Sequence, residues 1–150
     1  LEVPISDLFL EDYYLTNIYN YNDYVELNNS LKEKLNNKIN KEGIKLANVS
    51  ALGACDYFAA GVYSVPEQKY YKNEFEGVYE ITNITGTINT MDGEFYSHLH
   101  ITCADSTGAC FGGHLNAARV SATCEMVVTV LEGCVDRFHD DKTGLNLFKF

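Results

Sequence analysis

Ser30-Leu31-Lys32-Glu33-Lys34-Leu35-Asn36-Asn37-Lys38-Ile39-Asn40-Lys41-Glu42-Gly43 is the stretch on which the expected fold turns. Its first four residues form a capping box. The Ser30 hydroxyl can accept from a free N–H of the first turn while the Glu33 carboxylate reaches back to the Ser30 N–H. Leu27, Leu31, Leu35 and Ile39 recur at every fourth position and make one apolar stripe. Gly43 stands where a terminating left-handed residue is wanted. The pattern predicts one amphipathic helix, and its stripe must be laid against a sheet.

The segments around it read as that sheet. Tyr13 to Leu27 is dense in Tyr, Asn and β-branched residues, which suits a strand or a strand pair. Beyond Gly43, Ile44–Ser50 and Gly53–Ser64 are small and apolar, with a break expected at Ala51-Leu52-Gly53. Val65-Pro66-Glu67-Gln68, Met91-Asp92-Gly93-Glu94 and Asp105-Ser106-Thr107-Gly108 have turn chemistry. Between and after them come Tyr70-Tyr71-Lys72, Gly77–Ile84, Thr87-Ile88-Asn89 beyond Gly86, Phe95–Ala104, Ala109–Gly113, Val120–Leu131, Cys134–Phe138 and Leu145–Phe150. The expected class is α+β: a largely antiparallel sheet of about seven strands with one main amphipathic helix packed on it.

Composition bounds the function. With 150 residues, 46% of them hydrophobic, the chain can bury a real core as one domain. No apolar run approaches the ~20 residues that cross a bilayer, so no membrane partner is expected. The first residues lack the basic start and apolar stretch of a signal peptide. The formal net charge is −10, which opposes binding to a duplex unless cations gather on one face. The lysines between Lys32 and Lys45 read as a solvated helix surface. Cys55, Cys103, Cys110, Cys124 and Cys134 are odd in number and include no Cys-x-x-Cys pair. A reducing compartment, and hence the cytoplasm, is expected.

The chemistry concentrates in Ser97-His98-Leu99-His100-Ile101-Thr102 and Gly112-Gly113-His114-Leu115-Asn116, which hold three of the four histidines. Alternate residues of a strand face one way, so His98 and His100 project from the same side, roughly 7 Å apart along the backbone. His114 follows a Gly-rich turn from which a folded-back chain could bring it to the pair. Three imidazoles with one open position are a usual layout for an exchangeable divalent metal, zinc above all. No spacing rule ties His114 to the other two, and a half-buried, hydrogen-bonded His pair is the competing reading. Glu80, Asp105 and Glu125 are candidate acceptors for the far ring nitrogens. Gly112 and Gly113 offer either close backbone approach or a bulge. Neither a Gly-x-Ser-x-Gly elbow nor a phosphate-cradling loop occurs, so no catalytic residue is assigned.

Taken together, Gly93-Glu94-Phe95-Tyr96-Ser97-His98-Leu99-His100 followed by Gly112-Gly113-His114-Leu115 resembles the signature of the plant-and-prokaryote conserved (PPC) domain. Ser50-Ala51-Leu52-Gly53-Ala54, Phe75-Glu76-Gly77-Val78-Tyr79-Glu80-Ile81, Ala122-Thr123-Cys124-Glu125, and Arg137 with Gly144-Leu145-Asn146-Leu147 are similar to other segments of that family. The likeness covers residues 19–150 and leaves 1–18 as an N-terminal arm. It implies a compact domain with one packed helix, a homotrimer, and metal ligation by His98, His100 and His114. In plants the domain follows AT-hook segments, but no Arg-Gly-Arg-Pro occurs here and Arg is found only at Arg119 and Arg137. The expected function is therefore a metal-binding module with a regulatory or ligand-binding role, with a small ligand at the metal. A metal-dependent enzyme on a small polar substrate and a DNA-binding protein are the alternatives. The cupin pattern also carries His-x-His, but it wants a Glu where this chain has Thr102, Cys103, Ala104 and Asp105.

Overall fold

The computed structural model describes residues 13–19, 36–37 and 41–150, and nearly all of them lie in strands. In chain order these are β1 (Tyr13–Tyr19), β2 (Ala47–Ser64), β3 (Lys69–Met91), β4 (Glu94–Ala104), β5 (Cys110–Val130), β6 (Asp136–Asp140) and β7 (Leu145–Lys149). The main sheet has the order β1-β5-β2-β3-β4, its strand pairings are antiparallel, and β4 also pairs with β5. Strands β2, β3, β4 and β5 therefore close on themselves like a small barrel, which leaves few open edges. β1 adds to the distal half of β5, with Tyr13 opposite Thr129. β6 and β7 form a separate two-stranded sheet.

This corrects the α+β expectation. Among the described residues the architecture is a β fold in two sheets, and no helix packs on the barrel. Most of the stretch from Ser30 to Gly43 lies outside the described residues. Within it Asn36, Asn37, Lys41 and Glu42 are helical, and Gly43 has φ +67°. The strands are also longer than expected. Ala51-Leu52-Gly53 and Gly86 were expected to interrupt strands, yet both lie inside them, and the strand expected to end at Gly113 runs on to Val130. Register shifts between Ala51 and Gly53, and between Cys55 and Tyr57, bend β2 without ending it. Bulges of this kind let a long strand coil round a closed core. Gly86 serves close approach: a Cβ there would collide with the His98 carbonyl oxygen and the Leu99 Cα.

The closed strands enclose a filled core. Phe58, Ile81, Ile84, Ile88, Ile101, Cys103 and Met126 are all 2% exposed or less. Each large apolar side chain so buried contributes about 1.5–3 kcal/mol. Phe58 stacks on Phe75, its register partner, at 4.5 Å between ring centroids, and meets Tyr79 edge-on at 5.2 Å. Cys55, Cys103 and Cys124 are buried free thiols, with the Cys55 and Cys103 sulfurs 3.7 Å apart. They act as small apolar residues, and the Cys55 contact together with burial pushes the Cys103 thiol far above its ordinary range.

The small sheet is anchored beside the end of β3. The Thr90 N–H donates to the Val135 carbonyl, and the Thr90 hydroxyl donates to Asp136 Oδ1 at 2.7 Å. Asn146 Nδ2 donates to the Tyr96 hydroxyl on β4. Arg137 is buried between rings, 4.9 Å from the Tyr96 centroid and 4.2 Å from that of Phe148, and its Nη1 donates to the Asn146 carbonyl.

Candidate metal centre

β4 supplies two of the three histidines by simple alternation. Leu99, Ile101 and Cys103 point into the core, so His98, His100 and Thr102 face outward. The turn at Asp105–Gly108, held by the Gly108 N–H to the Asp105 carbonyl, returns the chain as β5. The resulting hairpin pairs Ala104 with Cys110 and runs back to His100 opposite His114, where the β4–β5 ladder ends. Beyond that rung β4 stays with β3 and β5 stays with β2. The histidines thus cluster where two strands part.

His114 faces outward because of a bulge. Ala118 and Val120 point into the core, and strict alternation would send residues 116 and 114 inward as well. Instead Ala59 pairs with Ala117 and Ala60 with Leu115, so Asn116 is an extra residue in β5. The bulge moves Leu115 into the core and turns His114 to the outer face.

The imidazoles converge. One ring nitrogen from each of His98, His100 and His114 lies within 4.8 Å of the others. The two Nε2 atoms of His98 and His100 are 3.3 Å apart, and the ring centroids are separated by 5.1–5.7 Å. Two nitrogens bound to one tetrahedral zinc at 2.0–2.1 Å would lie roughly 3.3–3.4 Å from each other. His98 and His114 are half-buried and His100 is exposed, so the cluster meets solvent on one side. Burial, aided by the nearby His114, Arg137 and His100, lowers the His98 pKa from 6.5 to about 4. Its ring is therefore neutral at physiological pH, which is the state that can donate a lone pair.

The other sequence candidates lie elsewhere. Among the described residues the donor cluster contains the three histidines and no carboxylate. Glu80 is exposed, opposite Ala104 on the ladder. Asp105 is spent on its own turn: its carboxylate accepts from the Thr107 N–H and hydroxyl and from the Ala109 N–H, which holds its pKa down. Glu125 is exposed on β5 opposite Leu52. Gly113 has φ +154°, and a Cβ there would press on the Gly61 carbonyl of β2, while one at Gly112 would strike the Ile101 carbonyl of β4. Both glycines thus let the strands draw together directly before His114.

Two neighbours escaped the sequence reading. Arg137 approaches from the small sheet closely enough to lower the basicity of His98. Tyr70 of β3 meets the His114 ring edge-on, with centroids 6.3 Å apart and planes at 89°. Nothing in local pattern announces Tyr70. The bulge, in contrast, leaves a trace: the inward residues Leu115, Ala118 and Val120 break the two-residue rhythm.

Residues 24–132 match the family model of the Plants and Prokaryotes Conserved (PCC) domain. A candidate DNA-binding protein from Bacteroides thetaiotaomicron is 27% identical with a TM-score of 0.82, over 95% of this chain and 94% of that one. A metal-containing protein from Archaeoglobus fulgidus is 27% identical with a TM-score of 0.78, over 92% and 93%. A plant- and prokaryote-conserved protein from Pyrococcus horikoshii is 25% identical with a TM-score of 0.75, over 92% and 91%. No curated protein matches the chain.

Proposed function

Since the chain belongs to the Plants and Prokaryotes Conserved domain family, we propose that it is a metal-binding module holding one divalent ion, zinc, on His98, His100 and His114. The observation that carries this reading is the convergence of three ring nitrogens within 4.8 Å. The donor set fits zinc: three imidazoles, one of them held neutral by burial, and an exposed side where a further ligand can exchange. The metal-containing relative from Archaeoglobus fulgidus supports it. Bound there, zinc would supply a Lewis-acid centre for a polar group of a small ligand. The chain's own part is to hold the rings on two diverging strands and to present an open face.

We read the role as binding or regulation, with a ligand at the open face of the three histidines. DNA binding is disfavoured. The net charge is −10, Lys72 is paired with Glu74, Arg119 is paired with Asp56, and Arg137 is buried. The module works as a cytoplasmic homotrimer in this reading, which light scattering would test. Among the described residues no helix is long and apolar enough to cross a membrane.

The test is elemental analysis of purified protein and of His98→Ala and His114→Ala. The parent is expected to carry one metal per chain and each variant none. Retention of stoichiometric metal by either variant would remove the proposal.

A further inference from the structure

The outward turn of His114 depends on a bulge, and a bulge needs something to hold it. Three observations meet at one side chain. The Tyr70 hydroxyl donates to Asn116 Oδ1 at 2.7 Å and reaches the His114 carbonyl at 3.5 Å. Its ring lies edge-on to the His114 imidazole. The space it occupies is the place where a Cβ of Gly61 would be: an added Cβ would overlap the Tyr70 Cζ and hydroxyl oxygen. On the ladder, Gly61 is opposite His114 on one side and Lys72 on the other, while Tyr70 is opposite Tyr63. Tyr70 therefore leans from β3 diagonally across β2, over a residue with no side chain, to grip the extra residue of β5.

From this we infer that Tyr70, Gly61 and Asn116 form a latch that sets the direction of His114, with Tyr70 as its positioning residue. This rests on the metal reading for its function, though the latch itself is a property of the metal-free chain. The physical logic is that of any support behind a metal ligand. An imidazole free to swing gives up part of its binding free energy to ordering, and a ring fixed by packing and a hydrogen-bonded neighbour does not. Asn116 is suited to the bulge because its side-chain amide supplies the acceptor. Gly61 is required because any side chain would displace the ring.

The test compares the full-length parent with Tyr70→Phe, Tyr70→Ala and Gly61→Ala in two measurements. The first is zinc affinity by competition with a chromophoric chelator. Tyr70→Phe keeps the ring and loses one neutral hydrogen bond, so the dissociation constant should rise about fivefold. Tyr70→Ala and Gly61→Ala should raise it about tenfold or more. The second follows the His114 ring-proton NMR signals of the metal-free protein; that ring lies 6.3 Å from the Tyr70 ring between centroids. These signals should shift in Tyr70→Ala and Gly61→Ala, while His139, on the small sheet, should not move. Equal zinc affinity in parent and all three variants overturns the latch. A parent that takes no zinc overturns the metal reading instead, and the His114 signals then decide: unchanged in Tyr70→Ala, they overturn the latch as well.

Discussion

Replacing Gly113 by Ala tests how the histidine hairpin is held against the barrel. At φ +154° an L side chain is strained, and this costs about 1–3 kcal/mol. The new methyl would also sit 2.5 Å from the Gly61 carbonyl oxygen, 3.1 Å from its carbon and 3.2 Å from its nitrogen. These are backbone atoms of β2 and cannot rotate away, so the strands must separate, at a further cost of about 1–3 kcal/mol. A total of about 4 kcal/mol lowers the melting temperature of a domain this size by roughly 8–16 °C. Gly108→Ala is the matched control. Gly108 has φ +83° with nothing within 4 Å of the added methyl, so only the backbone term of about 1–2 kcal/mol applies. Both variants are melted by circular dichroism in chelator, so that metal plays no part. If Gly113→Ala melts no lower than Gly108→Ala, the close approach of β5 to β2 before His114 is not real.

Three further outcomes are expected. Phe58→Ala removes a fully buried ring that stacks on Phe75 and meets Tyr79 edge-on, and should cost about 3–5 kcal/mol in urea denaturation; less than about 1 kcal/mol would contradict a core built on that ring. In metal-free protein the His98 ring should titrate near pH 4 by NMR. Its folded pKa lies below the unfolded one, so the unfolded chain takes up the proton first. Stability should fall as pH drops from 6.5 towards 4, and a His98 midpoint at 6.5 would refute the burial assigned to it. A fluorescent duplex should show no appreciable binding at physiological salt, and a steeply salt-dependent submicromolar affinity would overturn the reading of the acidic surface.

Parts of this molecule can be read directly from its residues. Val65–Gln68, Met91–Glu94 and Asp105–Gly108 carry turn chemistry; β3 and β5 begin just beyond the first and third, and β4 begins at the last residue of the second. The outward pairing of His98 and His100 follows from strand alternation alone, because Leu99 and Ile101 mark the inner face. Strand continuity was not legible. Gly86 looks like a break in the sequence and Gly112 like a bulge or a close approach to an ion, yet in three dimensions both are places where a neighbouring backbone leaves no room for a Cβ. Such contacts are long-range and leave no local pattern. For His114 the spacing of Leu115, Ala118 and Val120 is a trace, but a partial one. Its position opposite His100 follows from the hairpin, but its outward direction depends on a one-residue shift against β2, a strand far away in the chain. Tyr70 was hidden for the same reason, since it acts across β2 and not along its own strand.

Zinc K-edge X-ray absorption on chelator-stripped protein reloaded with one zinc per chain addresses the central claim most directly. Three imidazole nitrogens at about 2.0–2.1 Å, with one further light ligand and no sulfur, are expected. A sulfur shell near 2.3 Å, or a spectrum of hydrated ion without imidazole scattering, would show that His98, His100 and His114 do not act together on a metal.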